Sequence, residues 1–130
     1  MGQSSPAAPL RVYVVEDNVP LRRALIREFA AIAGIEIVGE TGRVEQAIAA
    51  IHEIKPDVLV MDFHLEDGHA LQILQAVQPH AHRPLAIVMT NDPLQTHREA
   101  CLAAGATHFL DKSLDFAVLI ALLTKLASSS

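Results

Sequence analysis

The sequence predicts an α/β domain in which a parallel sheet of five strands is covered by helices on both faces. Short runs rich in Val, Ile and Leu alternate with longer segments whose apolar residues recur at helical spacing. The connections between them are short, and this alternation implies right-handed crossovers between parallel strands. The 130 residues, 51% of them hydrophobic, are enough for one such core and too few for two full domains.

Three predicted strands and two predicted helices occupy the first half of the chain. The first helix begins with the capping residue Asn18 and with Pro20, and it ends near Gly34. The second helix ends at Lys55, because a proline disfavours helical geometry in the residue before it. The predicted strands are residues 10–15, 35–39 and 57–61. The apolar residues at helical spacing are Leu21, Leu25, Phe29 and Ile32 in the first helix and Val44, Ala47, Ile48 and Ile51 in the second.

Two further strands and three helices are predicted in the second half of the chain. Pro79 and Pro84 bracket a polar loop, and Gly105 is a helix stop. The last helix is apolar over much of its surface, so one stripe must pack on the sheet, and the rest is a candidate contact with a second copy of the chain or with a partner protein. The leucines of that helix are Leu119, Leu122, Leu123 and Leu126. The strands are residues 85–89 and 107–110, and the helices are residues 68–77, 93–103 and 115–127.

The composition excludes several classes of protein. A net charge of -5 argues against a surface that neutralises nucleic-acid phosphates, and the chain has no tryptophan to stack on bases. Its one cysteine cannot form an internal disulfide, and no apolar run approaches the roughly 20 residues that span a bilayer. We therefore expect a cytoplasmic domain at residues 10–127, with short tails at residues 1–9 and 128–130, that binds neither nucleic acid nor membrane.

Polar residues follow four of the predicted strands at their carboxyl ends. Because parallel strands end at the same edge of a sheet, and ligands bind at that edge, we expect these side chains to converge. They are Glu16 and Asp17 after the first strand, Asp62 after the third, Thr90 after the fourth, and Asp111 and Lys112 around the end of the fifth.

Three carboxylates in one crevice predict a metal-dependent phosphoryl site. Glu16, Asp17 and Asp62 would repel one another, and a hard divalent ion with oxygen ligands, Mg²⁺ above all, removes that repulsion. One carboxylate can then act as a nucleophile, while Thr90 and Lys112 hold the oxygens of an incoming phosphoryl group. Each residue alone also suits a solvated loop, a turn or a strand end, but their joint placement favours the functional interpretation.

Four segments of the chain resemble the receiver domain of two-component response regulators. They are residues 14–18 (VVEDN), 55–62 (KPDVLVMD), 87–90 (IVMT) and 105–112 (GATHFLDK). Their order and spacing match that family over residues 10–127. The resemblance implies a flavodoxin-like fold, doubly wound, with five parallel strands in the order 2-1-3-4-5 and helices on both faces.

The resemblance also implies a role for each acidic residue of the crevice. Asp62 corresponds to the aspartate that accepts a phosphoryl group from a sensor histidine kinase or a histidine phosphotransfer protein. Asp17 corresponds to the residue that binds Mg²⁺ directly, and Glu16 to its neighbour, which acts through water. The backbone carbonyl of His64 corresponds to the remaining metal ligand. No enzymatic reaction is implied beyond self-phosphorylation and self-dephosphorylation.

Three residues correspond to the conformational switch of the family. Thr90 matches the hydroxyl that turns toward the phosphoryl group, and Lys112 matches the lysine that pairs with it. Phe109 matches the aromatic residue whose rotamer carries the change to the outer surface. Phosphorylation would then bias a two-state equilibrium that exists in the free protein, and so control a partner or an output domain absent from this chain.

Five positions bear on how far the family pattern applies. Ser113 replaces the usual proline after the lysine, and a trans bond is expected there because a cis bond before a non-proline residue costs roughly 2.5–4 kcal/mol. Glu66 replaces another proline and is expected to leave its loop less restrained. Asn91 replaces a small residue and should narrow access to the phosphoacceptor. His64 and Asp92 stand where the family tunes dephosphorylation, so the lifetime of the phosphorylated state stays open.

Other functions fit the sequence less well. A phosphatase of the haloacid dehalogenase type would have a second aspartate where this chain has His64, and the charges of residues 16–18 would repel the phosphate of FMN in a flavodoxin. His80 and His82 have a spacing that could bind zinc, but they lie in a loop on the opposite side from the acidic residues, and no cysteine completes the site. A receiver-like adaptor that acts without phosphorylation stays open, although its usual sign, loss of the acidic residues or the lysine, is missing.

Overall fold

Strands and helices alternate along the chain in the predicted order. A computed structural model describes residues 8–79 and 82–128. A hairpin of two-residue strands, His64–Leu65 and Gly68–His69, lies between the third main strand and the third helix. The strands of the main sheet are β1 (Leu10–Val15), β2 (Ile35–Thr41), β3 (Val58–Asp62), β4 (Leu85–Thr90) and β5 (His108–Asp111). The helices are α1 (Val19–Ala30), α2 (Val44–Ile54), α3 (Ala70–Val77), α4 (Gln95–Ala103) and α5 (Phe116–Ser128).

The five strands of the main sheet are parallel and lie in the order β2-β1-β3-β4-β5. This arrangement confirms the predicted doubly wound, flavodoxin-like topology. Strand β3 is central, and its Val60 lies opposite Val14 of β1 and Ile87 of β4. All residues of β3 are buried, as expected of a parallel strand that is covered on both faces, and for this reason its sequence is apolar up to the final Asp62.

The sheet separates two clusters of buried side chains. Alternate residues of β3 point to opposite faces, so that Val58 and Val60 pack with α1 and α5, while Leu59 and Met61 pack with α2, α3 and α4. The buried polar or charged residues in the described chain are Glu16, Thr41, Asp62 and Thr90. Each of them lies at, or directly beyond, the carboxyl end of a strand, which is the edge where a site was predicted.

Helices α3 and α4 each begin two residues later than the sequence predicts. Helix α3 starts at Ala70 instead of residue 68, because Gly68 and His69 pair with the preceding strand of the hairpin. Helix α4 starts at Gln95 instead of residue 93, since the backbone of Leu94, at the N-cap position, is extended. At the other end of the chain, α5 includes Ser128, which the sequence assigned to a tail. Residues 1–7 and 129–130 of the predicted tails lie outside the described residues.

Several local predictions are confirmed. Asn18 caps α1, because its Oδ1 accepts a hydrogen bond from the Leu21 N–H at 2.9 Å. Helix α2 ends before Lys55, which adopts the left-handed conformation with φ of 55°. The peptide bonds of the described residues are all trans, including the bond before Ser113. None of the helices within the described ranges combines the length and the apolar composition needed to cross a membrane.

Candidate functional site

The carboxyl edge of the sheet brings together the acidic residues that end β1 and β3 and the lysine that follows β5. Glu16 directly follows β1, Asp62 is the last residue of β3, and both are buried. The main-chain N–H of Lys112 donates to the Thr90 carbonyl at 2.9 Å, which holds the turn after β5 against the end of β4. These four residues therefore lie together at the carboxyl edge of the sheet, where the ends of parallel strands meet.

The Lys112 ammonium lies between two carboxylates. Its Nζ is 2.6 Å from Glu16 Oε1 and 3.2 Å from Asp62 Oδ2. Burial lowers the pKa of this ammonium, but the hydrogen bond to Glu16 and the charge of Asp62 outweigh burial, so that the pKa of Lys112 is raised. For Glu16, burial raises the pKa, and the hydrogen bond from Lys112 offsets only part of this rise. The lysine thus neutralises part of a buried negative charge.

A third carboxylate completes a group that could hold a metal ion. Oxygens of Glu16, Asp17 and Asp62 all lie within 4.8 Å of one another, and Asp17 is the exposed member. In the described part of the chain, this is the only group of three or more histidine, cysteine or acidic side chains close enough to share an ion. Three carboxylates face one ammonium, and an all-oxygen donor set suits a hard cation such as Mg²⁺. The residues present therefore fit the predicted cation.

His64, whose carbonyl is the other predicted ligand, begins the short hairpin two residues beyond Asp62. It pairs with His69 of the second hairpin strand, and its imidazole is exposed. The hairpin therefore keeps this stretch of backbone extended beside the site. The role of the His64 carbonyl as a metal ligand stays a prediction.

Thr90 and Phe109, which form the predicted switch together with Lys112, are both buried. Thr90 is fully buried, and its Oγ1 accepts a hydrogen bond from the Asp92 N–H at 3.0 Å. A hydroxyl that accepts one bond still carries a proton, so Thr90 can also donate. Phe109 is 4% exposed, and its carbonyl accepts a hydrogen bond from Arg98 of α4 at 3.1 Å. The end of β4 is thus connected to the loop after it, and β5 is connected to α4.

Phe63 is a candidate functional residue that the sequence did not single out. It directly follows Asp62, is 3% exposed, and lies nearly parallel to the rings of His97 and His69, with ring centres 4.3 Å and 5.4 Å away. The ring of Phe109 meets it edge-on at 6.4 Å. One side chain next to the candidate phosphoacceptor therefore contacts the hairpin, α4 and β5. The available signal was a large aromatic residue directly after the predicted phosphoacceptor, where burial of its ring places it beside the site.

The loop that contains Glu66 is held by contacts with α2 instead of by a proline. Asp67 Oδ1 accepts a hydrogen bond from the Val44 N–H at 2.6 Å, so this aspartate caps a helix that is distant in sequence. That hydrogen bond lowers the pKa of Asp67. Arg43 Nη1 forms an ion pair with Glu66 Oε1 at 2.8 Å. The loop that was predicted to be less restrained therefore has restraints of another kind.

Asn91 lies beside Lys112 on the other side of the site. It is exposed and lines a cavity of about 310 Å³ between α1 and α5, together with Lys112, Met89 and Phe116. Asn91, which is larger than the residue usual at this position, therefore lines the same cavity as the Lys112 ammonium. That Asn91 narrows access to Asp62 stays a prediction.

The predicted zinc pair is only half within the described residues. His80 lies outside them, and His82 Nε2 is 2.8 Å from the carbonyl of Pro56, which precedes β3 and so lies at the opposite edge of the sheet from Asp62. Cys101 is fully buried, and burial raises its pKa to about 11, which keeps the thiol protonated. Within residues 8–79 and 82–128, His82 belongs to no group of three or more histidine, cysteine or acidic side chains close enough to share an ion.

Known proteins of similar sequence share this architecture. A family model described as the response regulator receiver domain matches residues 12–124. A protein-glutamate methylesterase/protein-glutamine glutaminase of Gluconobacter oxydans is 32% identical over 112 residues, which are 84% of this chain and 31% of that protein. This chain thus spans about a third of the length of that curated relative.

Solved structures agree at the level of the fold. A LuxR-family two-component response regulator from Aurantimonas sp. superposes with a TM-score of 0.84 and 20% identity, over 94% of this chain and 87% of that one. The CheX-CheY-BeF3-Mg complex from Borrelia burgdorferi gives a TM-score of 0.80 and 21% identity, over 92% and 90% of the two chains. With the family model covering most of the sequence and the strand order in agreement, the chain belongs to the response regulator receiver domain family.

Proposed function

We propose that this receiver domain accepts a phosphoryl group on Asp62 in a Mg²⁺-dependent reaction and changes conformation in response. The donor is a phosphohistidine of a sensor histidine kinase or a histidine phosphotransfer protein. The supporting observation is the crevice in which Glu16, Asp17 and Asp62 have oxygens within 4.8 Å of one another beside Lys112. The likeness to a complex that contains CheY, BeF3 and Mg²⁺ supports the same chemistry.

Asp62 is the nucleophile of the proposed reaction. One of its carboxylate oxygens forms the bond to phosphorus while the P–N bond of the donor breaks. The electron pair of that bond stays on the donor nitrogen, and the imidazole, already protonated on its other ring nitrogen, leaves as a neutral ring. Mg²⁺, when bound, neutralises charge on the phosphoryl oxygens. Lys112, already 3.2 Å from Asp62 Oδ2, adds a second positive charge in a mostly buried site, where it acts more strongly than in water. The proposed metal ligands are Asp17, Asp62, Glu16 through water and the carbonyl of His64.

The proposed switch depends on the hydrogen bonds of Thr90. Its hydroxyl accepts from the Asp92 N–H and keeps its own proton for a phosphoryl oxygen. When Thr90 turns toward phosphorylated Asp62, the bond to Asp92 breaks and the loop between β4 and α4 is released. Phe109 packs at the edge of Phe63, so a rearrangement beside the phosphoacceptor reaches α4. Phosphorylation thereby biases a two-state equilibrium that a partner or an output domain reads.

The proposal predicts that radiolabelled acetyl phosphate labels the wild-type protein at Asp62, and only when Mg²⁺ is present. The variant Asp62→Asn should fall to background labelling, because a neutral amide neither attacks phosphorus nor binds Mg²⁺ as a carboxylate does. Transfer of the label, followed by peptide mapping with mass spectrometry, measures the effect.

The matched control is Asp57→Asn, which changes an aspartate at the opposite end of β3. Asp57 Oδ2 accepts a hydrogen bond from the Arg11 N–H at 2.9 Å, and an amide oxygen can accept the same bond. This variant should be labelled like wild type. Equal labelling of Asp62→Asn would contradict the proposal, and unlabelled wild-type protein would favour the adaptor that acts without phosphorylation.

We also propose that α5 forms a contact between two copies of the chain. Leu119 and Leu123 are buried against the sheet, whereas Leu114, just before the helix, is 81% exposed and Val118 is 50% exposed. Exposed apolar side chains of this size suit a surface that a second molecule covers. Sedimentation velocity with beryllofluoride should detect a dimer that Val118→Glu weakens. A monomer under all conditions would contradict this proposal.

The domain itself is proposed to act in the cytoplasm and to bind neither nucleic acid nor membrane. A net charge of -5 opposes binding to phosphates, which supports the exclusion of nucleic acid. The buried free Cys101 suits a compartment that keeps thiols reduced. Its own chemistry is limited to gaining and losing the phosphoryl group, and the output is a change of surface instead of a released product.

A further inference from the structure

The segment that carries the acidic pair is held through both the backbone and the side chain of Glu16. The Glu16 N–H donates to the Thr41 carbonyl at 2.9 Å, and Glu16 Oε2 accepts from the Asn18 N–H at 3.1 Å. The neighbouring Asp17 is exposed, and its carboxylate makes no hydrogen bond or ion pair with the described residues. The position of this metal ligand therefore depends on the main chain that carries it.

Arg22, in the first turn of α1, ties that main chain to the edge strand β2. Its Nη1 donates to the Glu16 carbonyl at 2.8 Å, and its Nε donates to Glu40 Oε1 at 2.8 Å. The Arg22 side chain is 16% exposed and its bond to the Glu16 carbonyl is partly buried, whereas the bond to Glu40 lies at the surface. A rigid guanidinium plane makes the two bonds at once, which a flexible ammonium side chain does less well.

The Glu16 carbonyl lies in the same peptide plane as the N–H of Asp17. The Asp17 Cα belongs to the same rigid plane, so a hydrogen bond that holds the carbonyl also fixes the position of this Cα. Gly42 packs on the same backbone, where a Cβ would come within 2.9 Å of Asp17 Cα and 3.1 Å of Arg22 Nη1. The acidic pair is thus held between α1 and the turn that follows β2.

The charge of Arg22 is compatible with a cation nearby. Glu40 neutralises the guanidinium at 2.8 Å, so the arginine can support the acidic pair without repelling a divalent ion. The contact to the site is a hydrogen bond to a carbonyl, and it leaves all three carboxylates free to act as ligands.

We propose that Arg22 is a positioning residue of the metal site, which sets where the Asp17 carboxylate meets Mg²⁺ by holding the Glu16–Asp17 peptide. The inference rests on the proposed function for the identity of the cation. Removing the groups that orient metal ligands typically lowers metal affinity 10-fold to 100-fold. Removing Arg22 acts through one peptide bond and is expected to have an effect at the lower end of that range.

Isothermal titration of the full chain with MgCl2 tests this inference without relying on phosphorylation. Arg22→Met should raise the Kd for Mg²⁺ about 10-fold, and Arg22→Lys should be intermediate because an ammonium keeps one of the two bonds. Arg23→Met is the matched control, since Arg23 is the exposed neighbour on the same helix. At saturating Mg²⁺, labelling of Arg22→Met by acetyl phosphate should approach the wild-type rate, as expected of a positioning role.

Gly42→Ala displaces the same backbone from its other side and should also weaken Mg²⁺ binding, which keeps the test decisive if Arg22→Met does not fold. Equal affinities for wild type, Arg22→Lys and Gly42→Ala would overturn the inference, and so would a wild-type protein that binds no Mg²⁺. Wild-type protein that binds Mg²⁺ but is not labelled at Asp62 would instead contradict the proposed function, and the comparison of affinities would still decide the role of Arg22.

Discussion

Replacing Lys112 with methionine is expected to slow phosphorylation of Asp62 by about 100-fold or more, because a charged donor aimed at the reacting group is lost from a mostly buried site. The ammonium is 3.2 Å from Asp62 Oδ2 and has only 11% of its side chain exposed. Methionine keeps the length of the side chain but not its charge. Rates of labelling by acetyl phosphate at saturating Mg²⁺ measure the loss.

The same substitution should destabilise the fold in the absence of Mg²⁺. Glu16 is 1% exposed, and without Lys112 it faces Asp62 with no counter-charge. Removing one partner of a buried ion pair costs about 3–5 kcal/mol in free energy of unfolding. Urea denaturation should show a loss of this size, and Mg²⁺ should restore part of it because the cation also neutralises the carboxylates.

The loss of stability caused by Lys112→Met is expected to depend on pH. Burial raises the pKa of Glu16, so the folded chain binds this proton more tightly than the unfolded chain, and stability falls as pH rises through the raised pKa. Removal of the ammonium raises that pKa further. The destabilisation should therefore be smaller at about pH 5 than at about pH 8.

Lys125→Met is the matched control for this experiment, because it removes an exposed lysine from α5. It should change neither the rate of labelling nor the free energy of unfolding by a measurable amount. A Lys112→Met variant with the stability and labelling rate of wild type would contradict the arrangement described for the crevice.

Replacing Phe63 with alanine should cost about 3–5 kcal/mol in free energy of unfolding, as is usual for a fully buried aromatic side chain. Phe63 is 3% exposed and packs against His69, His97 and Phe109, which lie on three different elements. A domain of this size has a total stability of about 5–15 kcal/mol, so the loss is a large fraction of it. Urea denaturation measures the total effect.

Hydrogen exchange should locate the effect of Phe63→Ala in the hairpin and in α4. Phe116→Ala is the control, because Phe116 is half-buried on the opposite face of the sheet, among residues of α1 and α5. That variant should loosen α5 and leave α4 unchanged. Equal exchange of α4 in the two variants would mean that Phe63 does not connect the phosphoacceptor to that helix.

Most of the fold could be predicted from the sequence because its signals are local. The apolar run of β3, the capping by Asn18 and the proline after Lys55 each report the conformation of neighbouring residues. The start of α3 could not be predicted in this way. Residues 68–69 look helical in isolation, and they form a strand because His64–Leu65 lies beside them as a partner.

The residues of the candidate site, like the elements of the fold, could be predicted only in part. Sequence alone was sufficient to choose Glu16, Asp17, Asp62, Thr90 and Lys112, because the carboxyl ends of parallel strands must share one edge of the sheet. Sequence reasoning missed Phe63 and Arg22, and it expected a loop around Glu66 with fewer restraints than Asp67 and Arg43 provide.

The amino-acid sequence by itself determined the order of strands and helices, the family and the set of polar residues at the strand ends. These follow from periodicity and chain order, which are properties of the chain alone. Tertiary structure decided that Lys112 lies between Glu16 and Asp62, that Asp67 caps α2, and that Arg22 holds the backbone of the acidic pair. Such contacts join residues far apart in sequence, and their distances are fixed only when the helices pack on the sheet.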